Sequence, residues 1–151
     1  MNLQSITKAL LCAVIVLGLP FSATHLVKAQ EASRISIIES DSKMAVFSVE
    51  ASAPKAADVA AAAMQTLFQT LLEQGVEGVN GGRPFMEVYN AKWKANFLKE
   101  KNPPYMMYVK GYQTEGDPLK SEVGDYRATV LVRVNIEFFE RQLKNNGIMN
   151  K

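Results

Sequence analysis

The strictest alternation of apolar and polar positions lies near the C-terminal end, in "YRATVLVRVN", residues 126–135. Ala128, Val130, Val132 and Val134 share one parity; Arg127, Thr129, Leu131 and Arg133 share the other. Successive strand residues face opposite sides of a sheet, so this predicts a strand with one buried and one largely wet face. "MAVFSVEAS", residues 44–52, is apolar on both parities at its start, which suits a central strand. "RISIIES", residues 34–40, alternates partly and predicts another strand. The intervening "DSK" can turn the chain, because Asp and Ser bond readily to nearby backbone, so the two strands form a hairpin.

Period-four spacing takes over after residue 53. Val59, Ala63, Leu67 and Leu71, flanked by Ala60, Met64, Phe68 and Leu72, predict a helix with a broad apolar face. Pro54 suits its first turn, with Ser52 or Ala53 as cap, Asp58 lies near the positive end of its dipole, and Gly75 is placed to end it. A short helix over 90–101 puts Trp93 and Phe97 on one face and stops before "NPP". Residues 105–116 read as a strand with aromatic residues on both faces, and "DPLKSEVGD", residues 117–125, as a turn-rich connection. A last helix follows residue 135. Asn135 caps it, Ile136, Phe139 and Leu143 line its inner face, and Gly147 ends it. This order predicts an α+β domain: an antiparallel sheet of about four strands with helices packed on one face.

The first 29 residues change the picture of destination. One charge, Lys8, precedes an apolar run from Ala9 to Leu19, Pro20 breaks it, and "VKA" closes at Ala29. This is the layout of a secretory signal peptide, and the run is shorter than the roughly 20 residues a membrane-spanning helix needs. Residues 1–29 are therefore expected to be removed, leaving 30–151 as a single domain with no transmembrane span, periplasmic or secreted. Cys12 sits inside the run behind Leu10 and Leu11, unlike the cleavage-point cysteine of a lipoprotein signal. It is the only cysteine, and His25 the only histidine. Residues 30–151 thus have no disulfide, no thiolate or imidazole metal site, no cysteine nucleophile and no histidine base. Of 17 Lys and Arg, only Lys8 and Lys28 precede residue 30, so the remaining 15 balance the 15 Asp and Glu. Zero net charge gives no argument for nucleic acid as a partner.

Candidate chemistry is sparse. "GVEGVNGGRP", residues 75–84, is rich in glycine, but it follows a helix, whereas phosphate loops precede one, and no Gly-Lys-Ser/Thr follows. It reads as turns, with Asn80-Gly81 a tight-turn dipeptide. Carboxylate pairs that could serve acid–base hydrolysis are Glu73 with Glu77, Glu115 with Asp117, and Glu122 with Asp125. All fall at helix ends or turns, where solvated charge is the ordinary state. "DPLKSEVGD" lacks the ligand order of a calcium loop. No catalytic residue, cofactor or metal is expected. The sharpest feature is "KWKANFLKEK": Lys92, Lys94, Lys99 and Lys101 flank Trp93 and Phe97. On a continuous helix Lys92 and Lys99 share one side, as do Lys94 and Lys101. Basic charge beside aromatic rings can hold anionic lipid or glycan. The plainer alternative is a surface helix with its aromatic side chains in the core. "YMMYVKGY", residues 105–112, is a second candidate: read as a strand, one parity is core and the other a contact face.

The tail "YRATVLVRVNIEFFERQLKNNG" and the early "ASAPKAADVAAAAMQTL" resemble small α+β domains of bacterial envelope proteins, namely the flagellar-assembly T N-terminal domain and related outer-membrane lipoproteins. "TLFQTLLEQGVEGVNGGRP" with "YMMYVKGY" also looks like uncharacterised secreted bacterial proteins. The resemblance implies a non-enzymatic envelope role, in binding or assembly with a protein partner. The alternative expectation is a secreted module that binds polysaccharide or anionic lipid through residues 92–101.

Overall fold

The computed structural model describes residues 34–151. The signal-peptide reading of residues 1–29 lies outside them.

Strands β1 (Ile35–Ser40) and β2 (Met44–Ala53) form the expected antiparallel hairpin. The Asp41 carboxylate makes the turn: it accepts the amide N–H groups of Lys43 at 2.7 Å and Met44 at 2.8 Å. Those two bonds hold its pKa below the usual carboxylate range. The long partner of β2 is the strictly alternating segment. We number the strands after β2 as β3 (Val109–Thr114), β4 (Leu119–Lys120) and β5 (Tyr126–Asn135). β2 and β5 pair antiparallel over their whole lengths, from Met44 opposite Asn135 to Ala53 opposite Tyr126. The strand order is β1-β2-β5-β3, with β4 also on β5.

The sheet therefore has five strands, where the sequence pattern suggests about four. The extra one is two residues long and leaves no periodic trace. Leu119 and Lys120 pair with Arg127 and Tyr126, and the Ser121 N–H closes the turn onto the Asp125 carbonyl at 2.7 Å.

Alternation decides where the core sits. Ala45, Phe47, Val49, Ala51 and Ala53 on β2, and Val130, Val132 and Val134 on β5, are buried on one sheet face. Helix α1 (Val59–Glu73) adds Val59, Ala63, Met64, Leu67, Phe68, Leu71 and Leu72 to the same cluster, close to the face read from its spacing. Its start differs from expectation. β2 continues through Ala53, so Ser52 and Ala53 are strand residues, and a 3-10 turn over Ala56–Asp58 leads into the helix with no side-chain cap.

The last helix follows the reading closely. It spans Ile136–Asn145 directly after β5, and the Asn135 side chain accepts the Phe138 N–H at 2.9 Å. Ile136, Phe139 and Leu143 are buried, and Gly147 has φ 68°. Beyond it, Ile148 and Met149 are also buried. The Ile148 carbonyl accepts the N–H groups of Glu87 and Val88 at 3.0 and 2.9 Å, which ties the chain end to the middle of the sequence.

Aromatic rings fill the space between the helices. Phe139 packs with Phe68 at 5.4 Å, Phe85 at 5.3 Å and Tyr108 at 5.1 Å between centroids, and Tyr105 stacks on Phe68 at 4.9 Å. Burial pushes the phenol pKa of both Tyr105 and Tyr108 up. Because the folded pKa lies above the unfolded value near 10, both rings favour the fold fully below pH about 10. That contribution is lost as pH rises through the folded values. Ultraviolet titration should therefore show two of the five tyrosines ionising late. Stability measured by urea denaturation should fall above about pH 10. Five tyrosines titrating together in the folded state would contradict the burial.

Candidate functional site

The basic aromatic segment splits where its helix ends. That helix spans Ala91–Phe97, so we call it α2 and the C-terminal helix over Ile136–Asn145 α3. The Asn90 side chain caps α2 by accepting the Trp93 N–H at 3.0 Å. The expected extent to residue 101 is too long. The chain leaves the helix at Leu98, Asn102 turns with φ 47°, and Pro103 and Pro104 follow. Lys92 and Lys94 thus stand on the helix, while Lys99 and Lys101 lie in the turn after it. The helical register that would put Lys92 beside Lys99, and Lys94 beside Lys101, does not form.

The four lysines also differ in their surroundings. Lys92, Lys99 and Lys101 are exposed. Lys94 is ion-paired with Glu73 at the end of α1, and Glu73 also accepts from the Gln69 amide at 3.0 Å. The Lys94 hydrogen bond holds Glu73 below the usual carboxylate range, and Glu73 in turn raises Lys94. Both side chains are partly exposed, 23% for Lys94 and 30% for Glu73, and water reaching the pair screens it, so it contributes little to stability. Its effect on the surface is larger, because it cancels one of the four charges.

Trp93 is half-buried and stacks on buried Phe97, with centroids 4.7 Å apart and planes 14° from parallel. The Leu98 carbonyl accepts from the Gln65 side chain at 3.1 Å, so α2 is pinned to α1 at both its ring face and its end. The rings hold the helix on the domain. Trp93→Ala should cost about 2 kcal/mol, below the 3 to 5 of a fully buried ring, and Phe97→Ala should cost more. Urea denaturation of the two variants checks the order.

Residues 105–116 are not one strand. Pro104 starts a 3-10 helix over Pro104–Tyr108, and β3 begins only at Val109. Three residues per turn bring Tyr105 and Tyr108 to the same side, where both are buried. Met106 and Met107 are left outside, 38% and 52% exposed, and Tyr112 on β3 is 54% exposed. The segment is thus core and surface at once, divided by a period of three that a strand reading cannot show.

The glycine-rich stretch is a helix terminator. Gly75, Gly78, Gly81 and Gly82 all have positive φ, and the loop returns to α1. Phe85 and Met86 donate their N–H groups to the carbonyls of Leu71 and Leu72 at 2.9 and 3.0 Å, satisfying acceptors that a helix end leaves open.

Two further features were not visible in sequence. Tyr89, 71% exposed, lies just before α2. A surface depression of about 450 Å³ beside α3 is lined by Glu137, Glu140, Arg141, Lys144, Asn145 and Lys151. Its charges are mixed, and Glu140 and Lys144 pair with each other at 2.6 Å. Among the described residues no three acidic, histidine or cysteine side chains gather as a metal donor set, and no helix is long and apolar enough to cross a membrane. The chain matches no protein-family model, no curated protein and no solved structure.

Proposed function

We propose that this chain is an exported, non-catalytic component of a bacterial envelope that binds or assembles with a protein partner. Export rests on the layout of residues 1–29, and the envelope role on the resemblance of the tail and the alanine-rich helix. The observation that carries the binding reading is the split of residues 105–112. Tyr105 and Tyr108 anchor the segment in the core, which holds Met106, Met107 and Tyr112 rigidly outward. Methionine and tyrosine suit protein contact, because methionine is polarizable and adapts to a partner's shape while tyrosine offers large rigid area at low entropic cost.

The test has two arms. Mass spectrometry of the chain expressed with its own leader should find Gln30 at the N-terminus; an intact Met1, or a diacylglycerol on Cys12, defeats the soluble exported reading. A photo-crosslinker at Met107 should then join one discrete envelope protein in living cells. The same crosslinker at Lys55, exposed before α1, should not. Equal products from both positions would remove the specific-partner reading.

A second reading is favoured by the exposure of Lys92, Lys99 and Lys101. These would bind anionic lipid or acidic polysaccharide by charge, and Lys94 would add little while paired to Glu73. Replacing the three with Gln should leave the melting temperature nearly unchanged. It should also abolish co-sedimentation with anionic vesicles at low salt. Native binding that ignores added salt would exclude a charge mechanism.

A further inference from the structure

We propose that β1 is a self-complementary edge through which two copies of this chain pair antiparallel, joining their sheets into one. Among the described residues β1 has a neighbour on one side only, β2. Its register fixes which way each side chain faces. Ile35 and Ile37 stand opposite Val49 and Phe47, on the core face; Ser36 and Glu39 stand opposite Ser48 and Val46, on the open face. Arg34 precedes Ile35 and so falls on the open face, its carbonyl accepting the Glu50 N–H at 3.0 Å. The register shifts between Ile37 and Glu39, so Ile38 is a bulged residue outside the ladder, and it is 62% exposed.

A two-fold axis perpendicular to the sheet keeps each face on its own side, so paired residues must share a face. With Ile38 left out of the count, an axis through Ser36 meets that condition at every position. Arg34 comes opposite Glu39 of the second copy on the open face, and Ile35 opposite Ile37 on the core face. Symmetry makes each of these contacts twice. Bulges and charges on an edge ordinarily guard against pairing. Here one charge is positive and the other negative, equidistant from the axis in ladder steps, so the guard becomes attractive toward an identical strand. Among the described residues neither Arg34 nor Glu39 makes an ion pair within its own chain. The opposite edge offers no such match: β3 reads "VKGYQT", with a lysine and no carboxylate. The inference stands on this edge alone, and holds or fails independently of the envelope reading.

The full chain with Cys12→Ala is the starting material. Sedimentation equilibrium should show a mass rising with concentration toward twice the 16.7 kDa of one chain. Arg34→Glu or Glu39→Arg alone should weaken association about tenfold or more, since each sets like charges opposite. The double reversal should restore it. Both residues are exposed, and thermal melts confirm that the variants remain folded. A second measurement does not depend on charge. Opposite residues of an antiparallel pair have Cα atoms about 5 Å apart, within disulfide reach. Ser36→Cys should therefore crosslink to itself on oxidation. Ser48→Cys, one strand further in on the same face, should not. A monomer up to about 1 mM, association indifferent to the single reversals, or equal crosslinking at residues 36 and 48 overturns the proposal.

Discussion

Val132→Asp is expected to abolish the folded state, while Arg133→Asp, one residue along the same strand, should cost less than about 1 kcal/mol. Val132 lies at the centre of the sheet. It has Phe47 of β2 on one side and Tyr112 of β3 on the other, and it is fully buried. A carboxylate there would face the apolar side chains of α1 with no cation within the core, since every buried residue of the described domain is apolar or aromatic. Burial of an unpaired charge costs several kcal/mol even after the group shifts its pKa. A domain of this size has a total margin of only about 5 to 15 kcal/mol. Arg133 is exposed on the other face, opposite Val46 and Gly111, where a carboxylate stays in water. Urea denaturation of both variants decides it. Equal damage at the two positions would mean that the strand does not have one dry and one wet face.

That contrast was legible in the sequence because β5 is long and its period is two over ten residues. α1 and α3 were legible for the same reason at their own period, and Asn135 and Gly147 mark the ends of α3 because capping chemistry is local. Legibility fails where an element is short or its period is set from outside. β4 has two residues and exists through its pairing with β5. The 3-10 helix at 104–108 puts Tyr105 and Tyr108 on one side, where a strand's period of two would set them on opposite faces, and only the proline at its start hints at a helical turn.

The candidate site was legible in composition and not in geometry. Exposure of Lys92, Lys99 and Lys101, and the Trp93 stack on Phe97, agree with a helix held by its rings. The Lys94–Glu73 pair could not be read, since it joins residues 21 apart whose meeting depends on how α2 docks. The same limit hid the bonds from Ile148 to residues 87 and 88. Nonlocal contacts of this kind leave no periodic signal. The contact surface within residues 105–112 was expected, but on a strand's period of two and not on the period of three that leaves Met106 and Met107 outside.

Gly75→Ala should destabilise the domain by about 4 kcal/mol, against about 1 for Gly81→Ala in the same loop. Both glycines have positive φ, 83° and 63°, so backbone strain alone would make the two substitutions similar. Space separates them. A Cβ on Gly75 would lie 2.3 Å from the Gly82 carbonyl oxygen and 2.6 Å from the Arg83 carbonyl carbon, whereas a Cβ on Gly81 meets nothing within 4 Å. The atoms in the way are backbone, and they belong to a loop with little freedom to yield. The Asn80 side chain clamps it by donating to the Arg83 and Pro84 carbonyls at 3.1 and 3.2 Å. Pushing the loop outward would also draw on the Phe85 and Met86 hydrogen bonds to Leu71 and Leu72. Phe85, fully buried against Phe139, would then lift from the core. The damage is thus transmitted from a turn to the aromatic cluster, and the melting temperature should fall far more at residue 75 than at residue 81. Equal losses at the two positions would show that the loop relaxes freely and that strain at positive φ is the whole cost.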